Sequence, residues 1–229
     1  LIIHAGATKF VNISEKFPNE CIDVNILGSQ NVLRSAIQNK VDSVLGISTD
    51  KATAPIANIY GLSKSVMEKL FTSMSGESNT KFSCVRYGNV VWSTGSVFPI
   101  WEKMAETNSL IQSTGSEMSR FFFSIYDAVD LVKTSIENFD LVSGKILSYP
   151  MKGVTIKNVL DEFCKIYNSE WESVESRKGD RQYELLISHI ESQYTEKIVI
   201  DNSFQSKEFY LFSSQIGFFK THLFPFFFQ

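Results

Sequence analysis

Strand-like and helix-like segments alternate along the first part of the chain, and this alternation restricts the fold more than any other feature. Short apolar runs at residues 1–5, 41–47 and 81–87 are typical of buried β-strands. Residues 19–39 and 60–73 instead carry apolar side chains at helical spacing. A strand–helix–strand–helix–strand order is typical of α/β proteins. We therefore predict an α/β fold built on a doubly wound parallel sheet of the Rossmann type.

Beyond residue 90 the alternation becomes less regular. Further elements are predicted at residues 97–107, 127–138 and 156–167, as helices, and at 144–147, as a strand. The sequence has no linker rich in Pro, Gly or Ser that would separate independent domains. We predict a partial dinucleotide-binding domain over residues 1–145, and a smaller substrate-binding lobe with a divergent Phe-rich tail over residues 146–229.

Composition argues against several classes of protein. The 22 basic and 25 acidic residues give a formal net charge of -3, so no charge excess favours a nucleic acid or an anionic membrane as partner. The three cysteines are odd in number and far apart, which predicts neither a disulfide framework nor a metal site and fits a cytoplasmic protein. The Phe-rich tail is shorter than the roughly 20 residues of a membrane-spanning helix. Membrane helices upstream in a longer parent protein remain an open alternative.

Residues that follow the predicted strands are the candidates for ligand binding. In an open α/β sheet, ligands bind outside the carboxyl ends of the strands. The first strand is followed by Ala5, Gly6 and Ala7, whose small side chains let a cofactor approach the backbone. A tight strand-to-loop turn without function explains this short segment equally well. We predict that these three residues contact a dinucleotide cofactor.

Tyr60 and Lys64 form a second candidate group. They are four residues apart at the start of a predicted helix, so their side chains lie one turn apart on the same face. An ammonium beside a phenol favours the phenolate, so we predict that Lys64 lowers the pKa of Tyr60. A lone pair with this spacing occurs by chance in many helices. Its position after a strand that ends in Ser48 and Thr49 makes Tyr60 a candidate base for a sugar hydroxyl.

An ordered set of short motifs carries a family resemblance. The segments are HAGA at residues 4–7, NILG at 25–28, STDKA at 48–52, YGLSK at 60–64 and RYGNV at 86–90. Together with GSVFP at 95–99, MSRFF at 118–122, RKGDR at 177–181 and ELLIS at 184–188, this set resembles the extended short-chain dehydrogenase/reductases. Within them it is similar to the CapD-type inverting UDP-N-acetylglucosamine 4,6-dehydratases of polysaccharide biosynthesis.

The sequence departs from that family pattern at several positions near the nucleotide-sugar contacts. Trp92 and Thr94 stand where the family tends to have glycine and arginine, and Asp180-Arg181 where it tends to have Glu-Lys. Tyr183 stands where a histidine is usual. These differences bear on substrate contacts rather than on the catalytic group.

The resemblance implies a role for each residue of the catalytic group. Removal of water across C5 and C6 of a hexose needs a transient C4 ketone, and therefore a hydride acceptor with acid and base groups. Tyr60 would take the O4 proton, Thr49 would hold O4, and Lys64 would bind the cofactor ribose. Asp50 would be the acid for the departing 6-hydroxyl, and Lys51 the base for the C5 proton. The alternative for Asp50 and Lys51 is a solvated surface pair.

The resemblance also implies the ligands. Arg120 and Arg177 would hold the diphosphate of a UDP-sugar, because a guanidinium meets two phosphate oxygens at once, and Asn89 would lie beside it. For each of the three, a purely structural or surface role is an equal alternative. The implied cofactor is NADP, with NAD as an open alternative, and the implied assembly of a complete protein is a homo-oligomer. No metal is implied.

No GxGxxG motif is present in the sequence. By the resemblance, the first strand corresponds to the fourth strand of a dinucleotide fold, and the earlier strands would carry the phosphate-binding glycines. We therefore expect the 229-residue chain alone to bind NADP or NAD weakly and to fold poorly. Two alternatives to the dehydratase remain: a UDP-sugar 4-epimerase, which needs no acid and base at C5 and C6, and an inactive truncated product.

Overall fold

The computed structural model describes residues 1–74, 76–175, 179–202 and 205–213. Its strands are β1 (Ile2–His4), β2 (Ser43–Thr49), β3 (Lys81–Tyr87), β4 (Asn89–Val90), β5 (Leu110–Thr114), β6 (Ser119–Phe123), β7 (Ile146–Ser148), β8 (Gly153–Thr155), β9 (Glu170–Val174), β10 (Thr195–Asn202) and β11 (Gln205–Phe212).

The α-helices are α1 (Val11–Lys16), α2 (Pro18–Ile22), α3 (Gly28–Gln38), α4 (Ile59–Ser73), α5 (Val97–Asn108), α6 (Ile125–Glu137), α7 (Phe139–Val142), α8 (Ile156–Tyr167) and α9 (His189–Ser192). A π-helical turn, Asp23–Leu27, joins α2 to α3, so the long helix predicted over residues 19–39 is one nearly continuous helical segment. A 3₁₀ turn, Asp50–Ala52, follows β2 directly. No helix among the described residues combines the length and the apolar character needed to cross a bilayer.

A six-stranded sheet in the order β1-β2-β3-β7-β11-β10 forms the centre of the molecule. β1, β2, β3 and β7 are mutually parallel, whereas β11 pairs antiparallel with β7 and with β10. The predicted α/β fold with a mostly parallel, Rossmann-type sheet is confirmed. The antiparallel hairpin β10–β11 was not predicted.

Alternate residues of the central strands pack into two separate clusters, one on each face of the sheet. On one face Val44 of β2 and Phe82 of β3 pack with Met67 and Phe71 of α4. On the other, Leu45 and Val85 pack with residues of α6 and α7, including Leu131 and Val142. Burial of each such side chain stabilises the fold by roughly 1.5–3 kcal/mol. Because helices pack on both faces, the sheet and the ends of its strands are held in place.

A smaller layer lies after β4. β4, β6 and β8 form a three-stranded sheet, and β5 pairs with β9. Trp101, Ile111, Leu160 and Phe163 are buried in a third cluster between these strands and the helices α5 and α8. The predicted division at residue 145 does not separate the layers, because β7, β10 and β11 lie in the central sheet and α5, β5 and β6 in the smaller layer.

Candidate active site

The carboxyl ends of β1, β2 and β3 open into a cavity of about 390 Å³, here called the catalytic cavity. The residues predicted from the sequence that line it are Ala5, Ala7, Thr49, Lys51, Tyr60, Lys64 and Asn89. Gly6 is exposed between its two neighbours and does not line the cavity. Asp50 lies behind Lys51 and is fully buried.

The 3₁₀ turn after β2 determines where Asp50 and Lys51 lie. Thr49 caps the turn, because its Oγ1 accepts a hydrogen bond of 3.4 Å from the backbone N–H of Lys51. Asp50 accepts through Oδ1 from Thr49 Oγ1 at 3.0 Å and from Lys51 Nζ at 3.2 Å. Its second oxygen, Oδ2, is buried without a hydrogen-bond partner among the described residues. Asp50 is therefore buried and Lys51 is only 16% exposed, which differs from the solvated surface pair that was the alternative.

Lys51 also contacts the neighbouring strand end. Its Nζ donates to Oδ1 of Asn89 at 3.2 Å, and Asn89 Nδ2 donates to the backbone carbonyl of Phe121 at 3.1 Å. The bond to Phe121 sets the orientation of the amide, so that its oxygen faces Lys51. Asn89 therefore positions Lys51 in this structure, in addition to its predicted place beside a diphosphate.

Tyr60 lines the same cavity, but its ionisation differs from the sequence-based expectation. Burial raises the pKa of Tyr60 above its ordinary value, and this effect outweighs a hydrogen bond with Thr49 that lowers it. The charge on Asp50 raises this pKa further. The predicted lowering of the Tyr60 pKa by Lys64 is therefore wrong. Helical spacing shows that two side chains share a face, but not how strongly that face is desolvated.

Lys64 is almost completely buried, with 3% of its surface exposed. Burial is the largest effect on its ammonium and lowers the pKa of Lys64 to about 8. Its Nζ lies 3.1 Å from the Sδ of Met67, and a thioether is a weak acceptor. Because an ammonium has three donors, Lys64 retains the capacity to donate to the hydroxyls of a ribose placed in the catalytic cavity. These features fit the predicted nicotinamide dinucleotide.

Gly61 allows the helix that carries Tyr60 to approach the turn that carries Lys51. A Cβ atom at Gly61 would lie 2.3 Å from the carbonyl oxygen of Lys51. No real Cβ makes so short a contact with backbone. Asn58 caps the start of α4 by accepting, through Oδ1, from the N–H of Gly61 at 2.8 Å. The glycine of the YGLSK motif therefore brings Tyr60 and Lys51 to one cavity.

Asn25, in the NILG motif, holds the loop after β1. Its Oδ1 accepts from the backbone N–H of Thr8 at 2.8 Å, and its Nδ2 donates to the Thr8 carbonyl at 3.0 Å. The same Nδ2 donates to Ser63 Oγ on α4 at 2.9 Å. The side chain is 1% exposed. The motif was recognised from the sequence, but this connection between the loop and α4 depends on tertiary contacts.

A second cavity of about 430 Å³, here called the outer cavity, adjoins the first and shares Lys51 and Asn89 with it. Arg120 lines the outer cavity together with Gln112, Thr114 and Asp180. Its guanidinium donates to the backbone carbonyl of Ser119 at 2.8 Å and lies 3.0 Å from the Sδ of Met118. The structure thus brings Arg120 to the cavity next to the catalytic one. Arg177 lies outside the described residues.

Two charged residues next to Lys51 had no role assigned from the sequence. Glu184 Oε1 lies 3.9 Å from Lys51 Nζ, and Arg181 forms an ion pair with Glu184. Burial raises the pKa of Glu184, and the charge on Lys51 acts in the opposite direction. Both residues belong to the quoted late motifs, but more than a hundred residues separate them from the turn at Lys51. Only the folded chain brings them together.

Comparison with known proteins gives a match to a family described as "Polysaccharide biosynthesis protein" over residues 1–206. The chain is 35% identical to the UDP-N-acetylglucosamine 4,6-dehydratase (inverting) of Campylobacter jejuni subsp. jejuni serotype O:23/36 (strain 81-176), with 85% of this chain and 58% of that protein covered. It is 39% identical to a UDP-glucose 4-epimerase of Rickettsia bellii (strain OSU 85-389), with 86% and 58% covered. The chain thus spans a little over half the length of these relatives.

A solved structure supports the fold. DesIV, a dTDP-glucose 4,6-dehydratase from Streptomyces venezuelae with NAD and TYD bound, superposes with a TM-score of 0.75. The superposition covers 81% of this chain and 63% of that chain, at 16% sequence identity. At this identity the similarity concerns the fold alone.

Proposed function

Because this chain belongs to the family of polysaccharide biosynthesis proteins, within the extended short-chain dehydrogenase/reductases, we propose that it carries the catalytic residues of a nucleotide-sugar 4,6-dehydratase. The proposed substrate is UDP-N-acetylglucosamine, and the proposed product is the UDP-linked 4-keto-6-deoxy hexosamine. Similarity to the Campylobacter jejuni enzyme of that name supports this choice.

One observation carries the proposal: Lys51 is hydrogen-bonded to buried Asp50 at 3.2 Å, in the wall of the cavity that Tyr60 also lines. Oxidation at C4 alone needs a base such as Tyr60. Elimination across C5 and C6 needs one further base and one acid. Asp50 and Lys51 supply two such groups beside the first.

The hydrogen bond within the pair provides a route by which both residues could take these roles. Transfer of one proton from Lys51 to Asp50, along the hydrogen bond that joins them, gives a neutral amine and a carboxylic acid. The amine then takes the C5 proton, and the acid gives its proton to the departing 6-hydroxyl, which leaves as water. Lys51 returns a proton to C5, and the O4 proton taken by Tyr60 replaces the one that Asp50 lost. The substrate has then lost one molecule of water and no other atoms.

Lys64 and Tyr60 would face the cofactor. When bound, a nicotinamide would supply, in its oxidised form, the acceptor for the C4 hydride and a positive charge near Tyr60, and, in the reduced form that results, the hydride that C6 receives. That charge matters because Tyr60 accepts a proton only as phenolate, and burial in the unliganded protein opposes this form. Lys64 would bind the ribose and add a second positive charge. The cofactor is proposed as NADP, with NAD as the alternative.

The outer cavity is proposed to receive the UDP moiety. Arg120 lines it, and a guanidinium binds phosphate oxygens with two parallel hydrogen bonds. Asn89 and Lys51 line both cavities, so a sugar that extends from a diphosphate near Arg120 would reach Tyr60. Arg177 stays a proposed diphosphate ligand by resemblance. A homo-oligomer stays the proposed assembly.

A UDP-sugar 4-epimerase is the second candidate. The relative from Rickettsia bellii, at 39% identity, carries that name. An epimerase uses the tyrosine and the nicotinamide but has no proton to remove at C5. The Asp50–Lys51 pair would then have no catalytic task, and for this reason we favour the dehydratase.

The test uses a protein in which this chain follows a glycine-rich dinucleotide-binding segment, here called the complete protein. Where the gene itself does not encode that segment, the N-terminal part of the Campylobacter jejuni dehydratase supplies it. The complete protein is incubated with NADP and UDP-N-acetylglucosamine, and the products are identified by mass spectrometry and NMR. A product lighter by one water, with a C4 ketone and a C6 methyl group, supports the dehydratase. An unchanged mass with inverted C4 supports the epimerase instead.

A further inference from the structure

Lys51 is surrounded by oxygens from three separate parts of the chain. Asp50 Oδ1 and Asn89 Oδ1 each lie 3.2 Å from its Nζ, and Glu184 Oε1 lies at 3.9 Å. The Glu184 side chain is 3% exposed, so water does not screen its charge as at a surface. A second buried carboxylate therefore faces the amino group of Lys51, whose neutral form the proposed reaction uses as a base.

Arg181 holds Glu184 against the 3₁₀ turn that carries Lys51. Its guanidinium donates to the backbone carbonyls of Asp50 at 3.2 Å, Thr53 at 2.8 Å and Pro55 at 2.8 Å, and it pairs with Glu184. All three carbonyls belong to the turn that carries Lys51 or to the residues just after it. The distance from Glu184 to Lys51 is thus set by a bridge of several hydrogen bonds.

A second anchor lies a few residues further along the same segment. The guanidinium of Arg86, from the middle of the central sheet, donates to the carbonyl of Leu186 at 2.9 Å and to Thr53 Oγ1 at 3.0 Å. Arg86 also forms ion pairs with Glu68 and Glu191. The segment that carries Glu184 is consequently held against the sheet on both sides of this residue.

We propose that Glu184 is a positioning residue for the proposed dehydration, one that holds the Lys51 ammonium and sets the pH at which Lys51 can act as a base. This inference rests on the proposed function. Glu184 does not line either cavity among the described residues, so it acts through Lys51 and not on the substrate.

The charges around Lys51 determine the sign of the effect. Among the described residues, Asp50 on its own turn and Glu184 with Arg181 from the late segment lie near Lys51, and Arg120 from β6 also acts on Glu184. The titratable groups that share its cavity are Lys9, Tyr60, Lys64 and Tyr87. Glu184 favours the charged form of Lys51, whereas the arginines oppose it. In the proposed reaction the Asp50–Lys51 pair acts with one shared proton, and removal of the Glu184 charge lets the pair reach that state at lower pH. Removal of the Arg181 charge acts in the opposite direction.

The test is the pH dependence of C5 proton loss, followed as solvent deuterium incorporated at C5 by the complete protein with UDP-N-acetylglucosamine. Glu184→Gln keeps an oxygen that accepts from Arg181 but removes the charge. The acidic limb of its rate profile should move to lower pH, because the negative charge 3.9 Å from the Lys51 ammonium is gone, with KM little changed. Glu184→Asp, which keeps the charge, should restore a profile close to the parental one.

Glu162→Gln is the matched control. Glu162 pairs with Lys165 at 2.7 Å, but its side chain is 71% exposed on α8, so the same charge change there should leave the profile unmoved. If Glu184→Gln does not fold, as judged by its thermal transition, Arg181→Gln takes its place, and the limb should then move to higher pH.

The outcomes separate the two levels of the proposal. If the parental protein forms the 4-keto-6-deoxy product and Glu184→Gln loses rate equally at every pH, Glu184 is only structural and the inference is overturned. If the parental protein yields only the C4 epimer, the proposed function fails, and the inference fails with it.

Discussion

Lys51 Nζ donates to the fully buried Oδ1 of Asp50 across 3.2 Å, although the two residues are adjacent in sequence. Neighbouring side chains in an extended strand point to opposite faces, so this contact requires the 3₁₀ turn that follows β2. Thr49 caps that turn and Gly61 lets α4 approach it. The contact between Asp50 and Lys51 therefore depends on the backbone geometry of this turn, which Thr49 and Gly61 support.

Lys51→Ala should separate oxidation from elimination in the complete protein. In the proposed reaction, oxidation at C4 uses Tyr60 and not Lys51, so it should continue while proton loss at C5 stalls. Because a general base contributes a factor of about 10² to 10⁴, formation of the 4-keto-6-deoxy product and deuterium wash-in at C5 should both fall by that factor. The reaction in heavy water, read by mass spectrometry and NMR, measures both.

Tyr60→Phe is the matched comparison, because it should abolish oxidation and elimination together. If Lys51→Ala makes product and exchanges C5 at the parental rate, Lys51 is not the base. If Tyr60→Phe still reduces the cofactor at the parental rate, the base at O4 is another group.

Arg120→Ala should weaken binding of UDP to the complete protein by about 1.5–3 kcal/mol, the range for hydrogen bonds to charged groups. Affinity for NADP should be unchanged, because Arg120 lines the outer cavity and not the catalytic one. Calorimetric titration measures both ligands. Arg34→Ala, on the exposed side of α3, is the control and should bind UDP normally. Unchanged UDP affinity in Arg120→Ala would remove this residue from the proposed diphosphate site.

The sequence predicted the central strands well and the later ones poorly. Residues 81–87 were predicted as a strand with the observed bounds, since this run is buried on both faces of the sheet. The hairpin β10–β11 was missed because its strands, TEKIVIDN and QSKEFYLF, show no strict alternation of polar and apolar residues. Its place at the sheet edge also depends on pairing with distant β7.

The same limit applies to the site. The sequence could predict that the residues after β1, β2 and β3 line one cavity, because the carboxyl ends of parallel strands lie at the same edge of the sheet. Arg181 and Glu184 reach Lys51 only through contacts across the fold. The predicted direction of the pKa change at Tyr60 was wrong. Burial is the largest cause of that change, and the spacing to Lys64 does not reveal burial.

Gly61→Ala should destabilise the protein and displace Lys51, because its Cβ would lie 2.3 Å from the Lys51 carbonyl oxygen. Gly28→Ala is the matched control, also in a helix, where the nearest atom to the new Cβ is 3.5 Å away. An alanine there should be neutral or stabilise by roughly 0.5–1 kcal/mol through higher helix propensity. Urea unfolding and product formation are measured for both variants. Equal stability and activity in the two variants would contradict the close packing of α4 on the 3₁₀ turn that carries Lys51.

The depressed pKa of Lys64 predicts a specific dependence of stability on pH. In the folded protein this pKa is about 8, below the ordinary value of 10.5, so between these pH values the unfolded chain binds more protons. The free energy of unfolding should therefore rise as pH increases from 8 to 10.5, and the contribution is at most roughly 3 kcal/mol, from about 1.36 kcal/mol per unit. Lys64→Met keeps the apolar stem without the charge, so its free energy of unfolding should no longer rise with pH through this contribution. Lys103→Met, at an exposed position, should retain the rise. Urea denaturation of the unliganded complete protein at several pH values across this range measures the difference. Parallel pH profiles for the parental protein and Lys64→Met would mean that burial does not lower the pKa of Lys64 in the folded protein.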